Sequence, residues 1–314
     1  MRRTLFVIWI FLLPALTPGL HCAHAQQNRS QETKSEQQGR LVESIEIEGN
    51  DHISDPAVKQ TMFTQKSRWW NKHRFDVSVF NEDMRSIIAL YNNRGYLDAK
   101  VSWDSTHVQT NRVSLTVNIV EGPQSFIRQI FFENNQVFPD SRLRDEVKFR
   151  EGQPFSYVKV TESTWSIVNL YATEGYLEVQ VNPEISIEGR DIDVIFQLQE
   201  GNAIYADSVK IQGNEKTNIA VIRREIKIES GELVTNEKLA ASQKNLYRTG
   251  LFNSVTVTPV QDSVGSEGTR DVEVMLVESE TGELNLGLGY GSEENIRITA
   301  EVLQANFLGT GQRI

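Results

Sequence analysis

The stretch "LYATEGYLEVQV" (residues 170–181) nearly copies "LYNNRGYLDAKV" (90–101), eighty positions upstream, and "LYRTGLFNSVTV" (246–257) echoes both. Aligning the three gives a unit of about eighty residues whose landmarks recur in the same order, which is the mark of a tandem repeat. The copies span 41–122, 123–201 and 202–280.

In each copy the shared stretch reads as the end of a helix. Phe80, Met84, Ile87, Ile88 and Tyr91 lay one apolar stripe along a helix in the first copy, and Val160, Thr164, Ile167, Val168 and Tyr171 repeat it in the second. The third keeps Leu239 and Leu246 but sets Ser242 and Gln243 between them, a weaker stripe. Gly95, Gly175 and Gly250 follow, at the place where a left-handed residue lets the last helical carbonyls find donors. Tyr96, Tyr176 and Leu251 are then expected to fold back on Tyr91, Tyr171 and Leu246. Glycines that cradle phosphate precede helices, whereas these follow them, so they read as structural.

Each copy opens with a short strand and a turn: "IEIEGND" (45–51), "IFFENNQV" (130–137) and "VKIQGNEK" (209–216). Gly49-Asn50, Asn134-Asn135 and Gly213-Asn214 tolerate the positive φ of such a turn. A first short helix is announced by Ser54-Asp55-Pro56, Asp140-Ser141 and Thr217-Asn218. After the long helix two strands close the unit, 97–103 with 112–122, 177–187 with 191–201, and 253–260 with 271–279. Val113, Leu115, Val117 and Ile119 show the period of two plainly. The order is β-α-α-β-β, an α+β unit in which two helices cover a three-stranded sheet.

Before the repeats, residues 1–25 read as a secretory signal peptide: Arg2-Arg3, the apolar run "LFVIWIFLLPAL" (5–16), then Ala23-His24-Ala25 as a small-x-small cleavage site. Cys22 is the sole cysteine, so no disulfide holds the chain together. Residues 26–40, "QQNRSQETKSEQQGR", contain no large apolar residue and read as a disordered leader. The formal charge is −10, and loss of Arg2 and Arg3 with the signal would bring it to about −12. That balance argues against a nucleic-acid partner, since phosphate binding needs a basic face.

Past residue 280 the pattern changes. In "GELNLGLGYG" (282–291) Leu284, Leu286, Leu288 and Tyr290 alternate with polar or small residues, and from 295 to 306 Ile296, Ile298, Ala300 and Val302 do the same. Two adjoining ten-residue strands with one apolar face fit the start of an outer-membrane barrel, or a soluble amphipathic hairpin. A barrel cannot exist as two strands, because open edges in lipid leave backbone groups unpaired. Either the sequence is the opening of a longer one or the barrel is absent.

With these motifs together, the chain resembles the BamA/TamA family of outer-membrane proteins, in which periplasmic POTRA domains precede a transmembrane barrel. The resemblance rests on the three β-α-α-β-β units, on the helix-ending Gly95-Tyr96 and Gly175-Tyr176, on the closing Glu121-Gly122 and Glu200-Gly201, and on "NFLGTGQ" (306–312), similar to the family's early barrel segment. The third copy departs with Gly250-Leu251 and Val277-Glu278-Ser279. The resemblance implies three POTRA-like domains and an incomplete, apparently truncated barrel at 281–314, in the outer membrane with residues 26–280 on the periplasmic side. Its implied partners are unfolded outer-membrane proteins, accessory lipoproteins or periplasmic chaperones, and outer-membrane lipid.

Neither a catalytic constellation nor a cofactor or metal motif is legible. His52, His73 and His107 lack ligand spacing, and Ser114 and Ser254 lie in strands without a nucleophile elbow. What such a unit offers is a sheet edge, to which an extended client adds through main-chain hydrogen bonds largely independent of its sequence. The resemblance places that edge on the middle strand of each unit, at Ala99, Val101 and Trp103, at Val179, Val181 and Ile185, and at Val255 and Val257. A proline at Val179 is then expected to remove a donor from the second edge. One further stretch, "KSRWWNKHR" (66–74), occurs in the first copy only. Its Arg68, Trp69, Trp70 and Lys72 either touch lipid or a partner, or the indoles cap the core between the two helices. The leading reading is a non-enzymatic outer-membrane assembly factor; the alternatives are a barrel-type secretion transporter and a periplasmic scaffold that docks lipoproteins.

Overall fold

The computed structural model describes residues 38–109, 111–260, 268–280, 282–291 and 295–312. The signal-peptide reading, and nearly all of the leader, fall outside them. By internal contacts the chain forms two units, 1–125 and 126–314.

In the first repeat β1 (Leu41–Glu48) runs through α1 (Asp55–Gln60) and α2 (Val77–Asn92) into the hairpin β2 (Lys100–Gln109) and β3 (Arg112–Val120). The second has β4 (Phe126–Glu133), α3 (Asp140–Arg144), α4 (Tyr157–Thr173), β5 (Gln180–Glu188) and β6 (Asp191–Gln199). The third has β7 (Tyr205–Gln212), α5 (Ile219–Glu225), α6 (Asn236–Arg248), β8 (Phe252–Val260) and β9 (Thr269–Glu278). The β-α-α-β-β order therefore holds three times. In every sheet the last strand is central, in the orders β1-β3-β2, β4-β6-β5 and β7-β9-β8. The first strand lies parallel to it: the two helices return the chain to the end where the first strand stops, the second strand runs back antiparallel, and the last strand reverses again between the two.

The helices cover one face of each sheet. In the first repeat Phe75, Phe80 and Trp103 meet edge to face, with centroids 5.1–5.6 Å apart, among buried Val42, Ile87, Tyr91 and Leu115. The helix ends close as their glycines require. Gly95 and Gly175 take φ of 87° and 85°, and the Tyr96 and Tyr176 amides donate to the Tyr91 and Tyr171 carbonyls at 3.0 Å. The rings of each pair pack 5.8 and 6.0 Å apart.

A second turn follows each cap, so the strands begin later than 97 and 177. The Ala99 amide donates to the Tyr96 carbonyl at 3.3 Å and the Leu177 amide to the Gly175 carbonyl at 3.1 Å. Ala99 and Val179 accordingly lie one residue before β2 and β5, and the edge positions expected there are corrected to strands starting at Lys100 and Gln180.

Two polar positions explain why the repeats share more than apolar spacing. At the end of each central strand a glutamate turns back to the first turn of its unit. Glu121 accepts from the His52 amide at 3.0 Å and the Tyr91 hydroxyl at 3.1 Å; Glu200 from the Gln136 and Val137 amides at 2.8 and 2.9 Å and the Tyr171 hydroxyl at 2.6 Å. Glu278 accepts from the Lys216 and Thr217 amides, with Leu246 in place of the tyrosine. On the long helix, Asp83, Ser163 and Ser242 are fully buried and accept from the loop between the helices, at the Thr64, Lys148 and Lys227 amides. Ser242, a weakness in the apolar stripe, is thus a fastening point.

Burial would raise the pKa of Glu121, but the His52 amide and imidazole and the Tyr91 hydroxyl outweigh it and hold the carboxyl below its ordinary value of 4.5. A carboxyl depressed in the folded state contributes stability above its unfolded pKa and loses it as pH falls through the folded one. The first domain should therefore lose urea resistance on acidification below pH about 4.5, and Glu121→Gln should flatten that decline while lowering stability at pH 7. Urea midpoints measured from pH 7 to 3 test both.

After the third repeat β10 (Gly282–Gly291) and β11 (Asn295–Gln304) form a two-stranded antiparallel sheet. Its register sets Leu284 against Val302, Leu286 against Ala300 and Leu288 against Ile298, and these leucines are exposed. The tail then returns to the third repeat. Asn306 is buried and donates to the Thr217 hydroxyl at 2.8 Å, and the Asn218 amide donates to the Gly309 carbonyl at 3.0 Å.

Candidate functional site

Each sheet has two edges, and they differ. The loop between the helices covers the first-strand edge with the same pair of main-chain bonds in all three repeats. Val42 donates to the His73 carbonyl at 3.1 Å and accepts from Ser67 at 2.9 Å. Ile127 does so with Gln153 and Gly152 at 2.9 and 2.7 Å, and Ala206 with Glu232 and Gly231 at 2.8 and 2.6 Å. β2, β5 and β8 form the opposite edges.

The sequence itself shows how those edges face. Pro183 lies in β5 and Pro259 in β8, opposite Phe196 and Val272. Proline has no N–H for the ladder, so these positions turn their backbone outward, and the period of two gives Val181, Ile185, Val255 and Val257 the same orientation. Val255 bears this out: its amide donates to the Tyr247 hydroxyl at 3.2 Å and its carbonyl accepts from the Gln243 side chain at 2.8 Å, both outside the ladder. In register, Ser105 of β2, Ile185 of β5 and Pro259 of β8 are equivalent, opposite Leu115, Val194 and Val272. β8 is thus occupied at Val255 and lacks a donor at Pro259, β5 lacks one at Pro183, and β2 contains no proline.

The side chains tell a different story from the backbone. Trp103, Val181, Val255 and Val257 are buried, Val101 and Ile185 half-buried, and Ala99 and Val179 are buried outside the strands. A partner pairing at these edges meets main chain, while the expected side chains serve the domain core.

The loop 61–76 between α1 and α2 overturns the core-capping reading of its indoles. Trp69 and Trp70 are 85% and 62% exposed and meet edge to face at 5.1 Å. Among the described residues no cluster of three or more His, Cys, Asp or Glu is placed to hold a metal.

A family model described as POTRA, the surface antigen variable number repeat, matches residues 41–122, 125–201 and 204–279. The chain belongs to the POTRA family. Among its curated relatives, the outer membrane protein assembly factor BamA of Neisseria meningitidis serogroup B is 27% identical over 292 residues, 89% of this chain and 36% of that protein. BamA of Nitratidesulfovibrio vulgaris is 26% identical over 280 residues, 86% of this chain and 35% of the relative. The chain therefore spans about a third of the length of these relatives. Among solved structures, POTRA3–5 of Haemophilus influenzae BamA aligns with a TM-score of 0.54 at 20% identity, over 76% of this chain and 96% of that one. BamA from Haemophilus ducreyi lacking POTRA domains 1–3 gives 0.52 at 23%, over 60% and 36%. These likenesses establish the POTRA fold for the three repeats.

Two features of these POTRA domains were out of reach of sequence reasoning. The glutamate was visible only as part of a closing motif, since the turn amides it accepts from lie 61–69 positions away. The loop that covers the first edge keeps a common frame only in the second and third repeats, "VKFREGQPFS" (147–156) and "IKIESGELVT" (226–235), and nothing local to that frame announces its pairing with the first strand.

Proposed function

We propose that the POTRA domains of this chain take up unfolded outer-membrane proteins by strand addition at the second-strand edges, with β2 as the principal acceptor, and that β10–β11 opens a lipid-facing barrel that receives them. The observation that carries this reading is the asymmetry of the sheets: inter-helix loops occupy the first-strand edge by main-chain bonds in all three repeats, while β2, unlike β5 and β8, contains no proline. An extended client reads such an edge through backbone alone, which suits a protein serving many sequences. The exposed leucine row of β10–β11, matched across the hairpin, supports a lipid-facing sheet in place of a soluble one, where a stripe of that size would meet water. The relatives' description as assembly factors agrees with it.

The test is Ser105→Pro, which copies into β2 what β8 already carries at the equivalent position. Site-specific crosslinking of an unfolded outer-membrane protein to the first domain should fall about fivefold, the worth of a main-chain hydrogen bond at about 1 kcal/mol. Pro183→Val should raise crosslinking to the second domain. If neither changes while both variants keep their far-UV spectra, the edge reading is wrong.

A further inference from the structure

We infer that the tip of the loop between α1 and α2 in the first domain is a membrane-surface anchor that takes anionic phospholipid headgroups. The inference stands independently of strand addition. The tip is a pinned hairpin: Arg68 donates to the Asn71 carbonyl at 2.7 Å and Asn71 to the Arg68 carbonyl at 3.1 Å, so Trp69 and Trp70 form its two turning residues. Its base is fastened by the Ser67 hydroxyl, which donates to the His73 carbonyl at 2.5 Å and accepts from the His73 amide at 3.0 Å, and by the bonds of Ser67 and His73 to Val42. Two indoles are therefore held out in solvent by a stiff backbone, at 85% and 62% exposure, where an ordinary surface would bury or omit them.

The charge around them is of one sign. Between Phe63 and Phe75 the sequence contains Lys66, Arg68, Lys72 and Arg74 and no acid, in a chain of net charge −10. Lys66, Arg68 and Lys72 make no ion pair among the described residues, and the Arg68 guanidinium lies 5.5 Å from the Trp70 ring centre. Phe63, 76% exposed, belongs to the same loop.

Size decides between a protein and a bilayer. A stable protein interface buries about 800 Å² on each side, more than a two-residue tip offers. A pair of indoles with cations behind them is the composition that settles at the headgroup level, rings at the boundary and ammonium or guanidinium on phosphate. The second and third domains, whose shorter inter-helix segments 145–156 and 226–235 turn at Gly152 and Gly231, have no such tip.

The experiment uses bromine-labelled acyl chains, which quench only tryptophans that reach the bilayer. In the full chain carrying Trp9→Phe and Trp165→Phe, the remaining tryptophans are Trp69, Trp70 and buried Trp103, and β10–β11 contains none. Vesicles of brominated phosphatidylglycerol and phosphatidylethanolamine should quench its emission, and salt at about 1 M, which shortens the Debye length to about 3 Å, should suppress the effect. Adding Arg68→Gln and Lys72→Gln should raise the lipid concentration for half-quenching about twenty-five-fold, at a factor of about five for each basic residue near an anionic surface. Quenching no greater than in the same chain with Trp69→Ala and Trp70→Ala, or quenching indifferent to phosphatidylglycerol, would overturn the anchor.

Discussion

Glu200→Ala should lower the stability of the second POTRA domain by roughly 3–4 kcal/mol, because one carboxylate oxygen serves two turn amides and the Tyr171 hydroxyl and leaves all three without an acceptor. Tyr171 is fully buried, so its hydroxyl has no route to water. For a domain of this size that loss is a large part of the total, which is about 0.05–0.15 kcal/mol per residue. Glu200→Gln keeps an oxygen and should lose less. The third domain supplies an internal comparison: with Leu246 where the tyrosine stands, Glu278→Ala strands only the Lys216 and Thr217 amides and should cost about 2 kcal/mol. Urea denaturation followed by near-ultraviolet circular dichroism measures both. A Glu278 variant that suffers as much as the Glu200 variant would show that the tyrosine hydroxyl is not the decisive partner.

Gly213→Ala is the second large effect. Gly213 has φ of 85°, and a Cβ there would collide with the Leu276 carbonyl of β9. A left-handed residue with a side chain costs about 1–2 kcal/mol and the forced shift of a central strand adds about 1–3, so a loss of roughly 3 kcal/mol is expected in urea unfolding of the third domain. The second domain again gives the control. It carries Asn134 at this turn with φ of 64°, and asparagine enters this region through local hydrogen bonding. Asn134→Gly should therefore change stability by less than about 1 kcal/mol. Equal losses for the two variants would refute the collision as the cause.

These variants also mark where the sequence was readable. The repeat, the element order and the helix-ending glycines are local: each is a spacing or a conformational demand within about ten residues. Gly95 and Gly175 took the positive φ that their position after a helix requires, and the tyrosines beside them closed the caps. Strand starts were misplaced because Ala99 and Leu177 extend the cap by another turn, a contest between a short-range hydrogen bond and a β-branched run that composition does not decide. The edge assignments for Val101, Trp103, Val181, Ile185, Val255 and Val257 selected inward-facing side chains, since alternation reports the core and not the partner. The covering of β1, β4 and β7 depends on main-chain pairing between each inter-helix loop and a strand about twenty residues or more away, so the frame shared by 147–156 and 226–235 did not announce it. The exposure of Trp69 and Trp70 was equally hidden: a pair of adjacent aromatics has no period, and the backbone bonds that hold it outward are not a sequence pattern.

The prolines at 183 and 259 have a consequence for the molecule as a whole. Tethered copies of one module meet each other at an effective concentration of order millimolar. Three equally bare strands on one polypeptide would then satisfy one another, or the same strands of a neighbouring molecule, and the assembly would jam by mutual capture. Withholding a donor in β5 and in β8, and engaging Val255 with its own helix, makes the three edges unequal and leaves neighbouring repeats poor partners for one another.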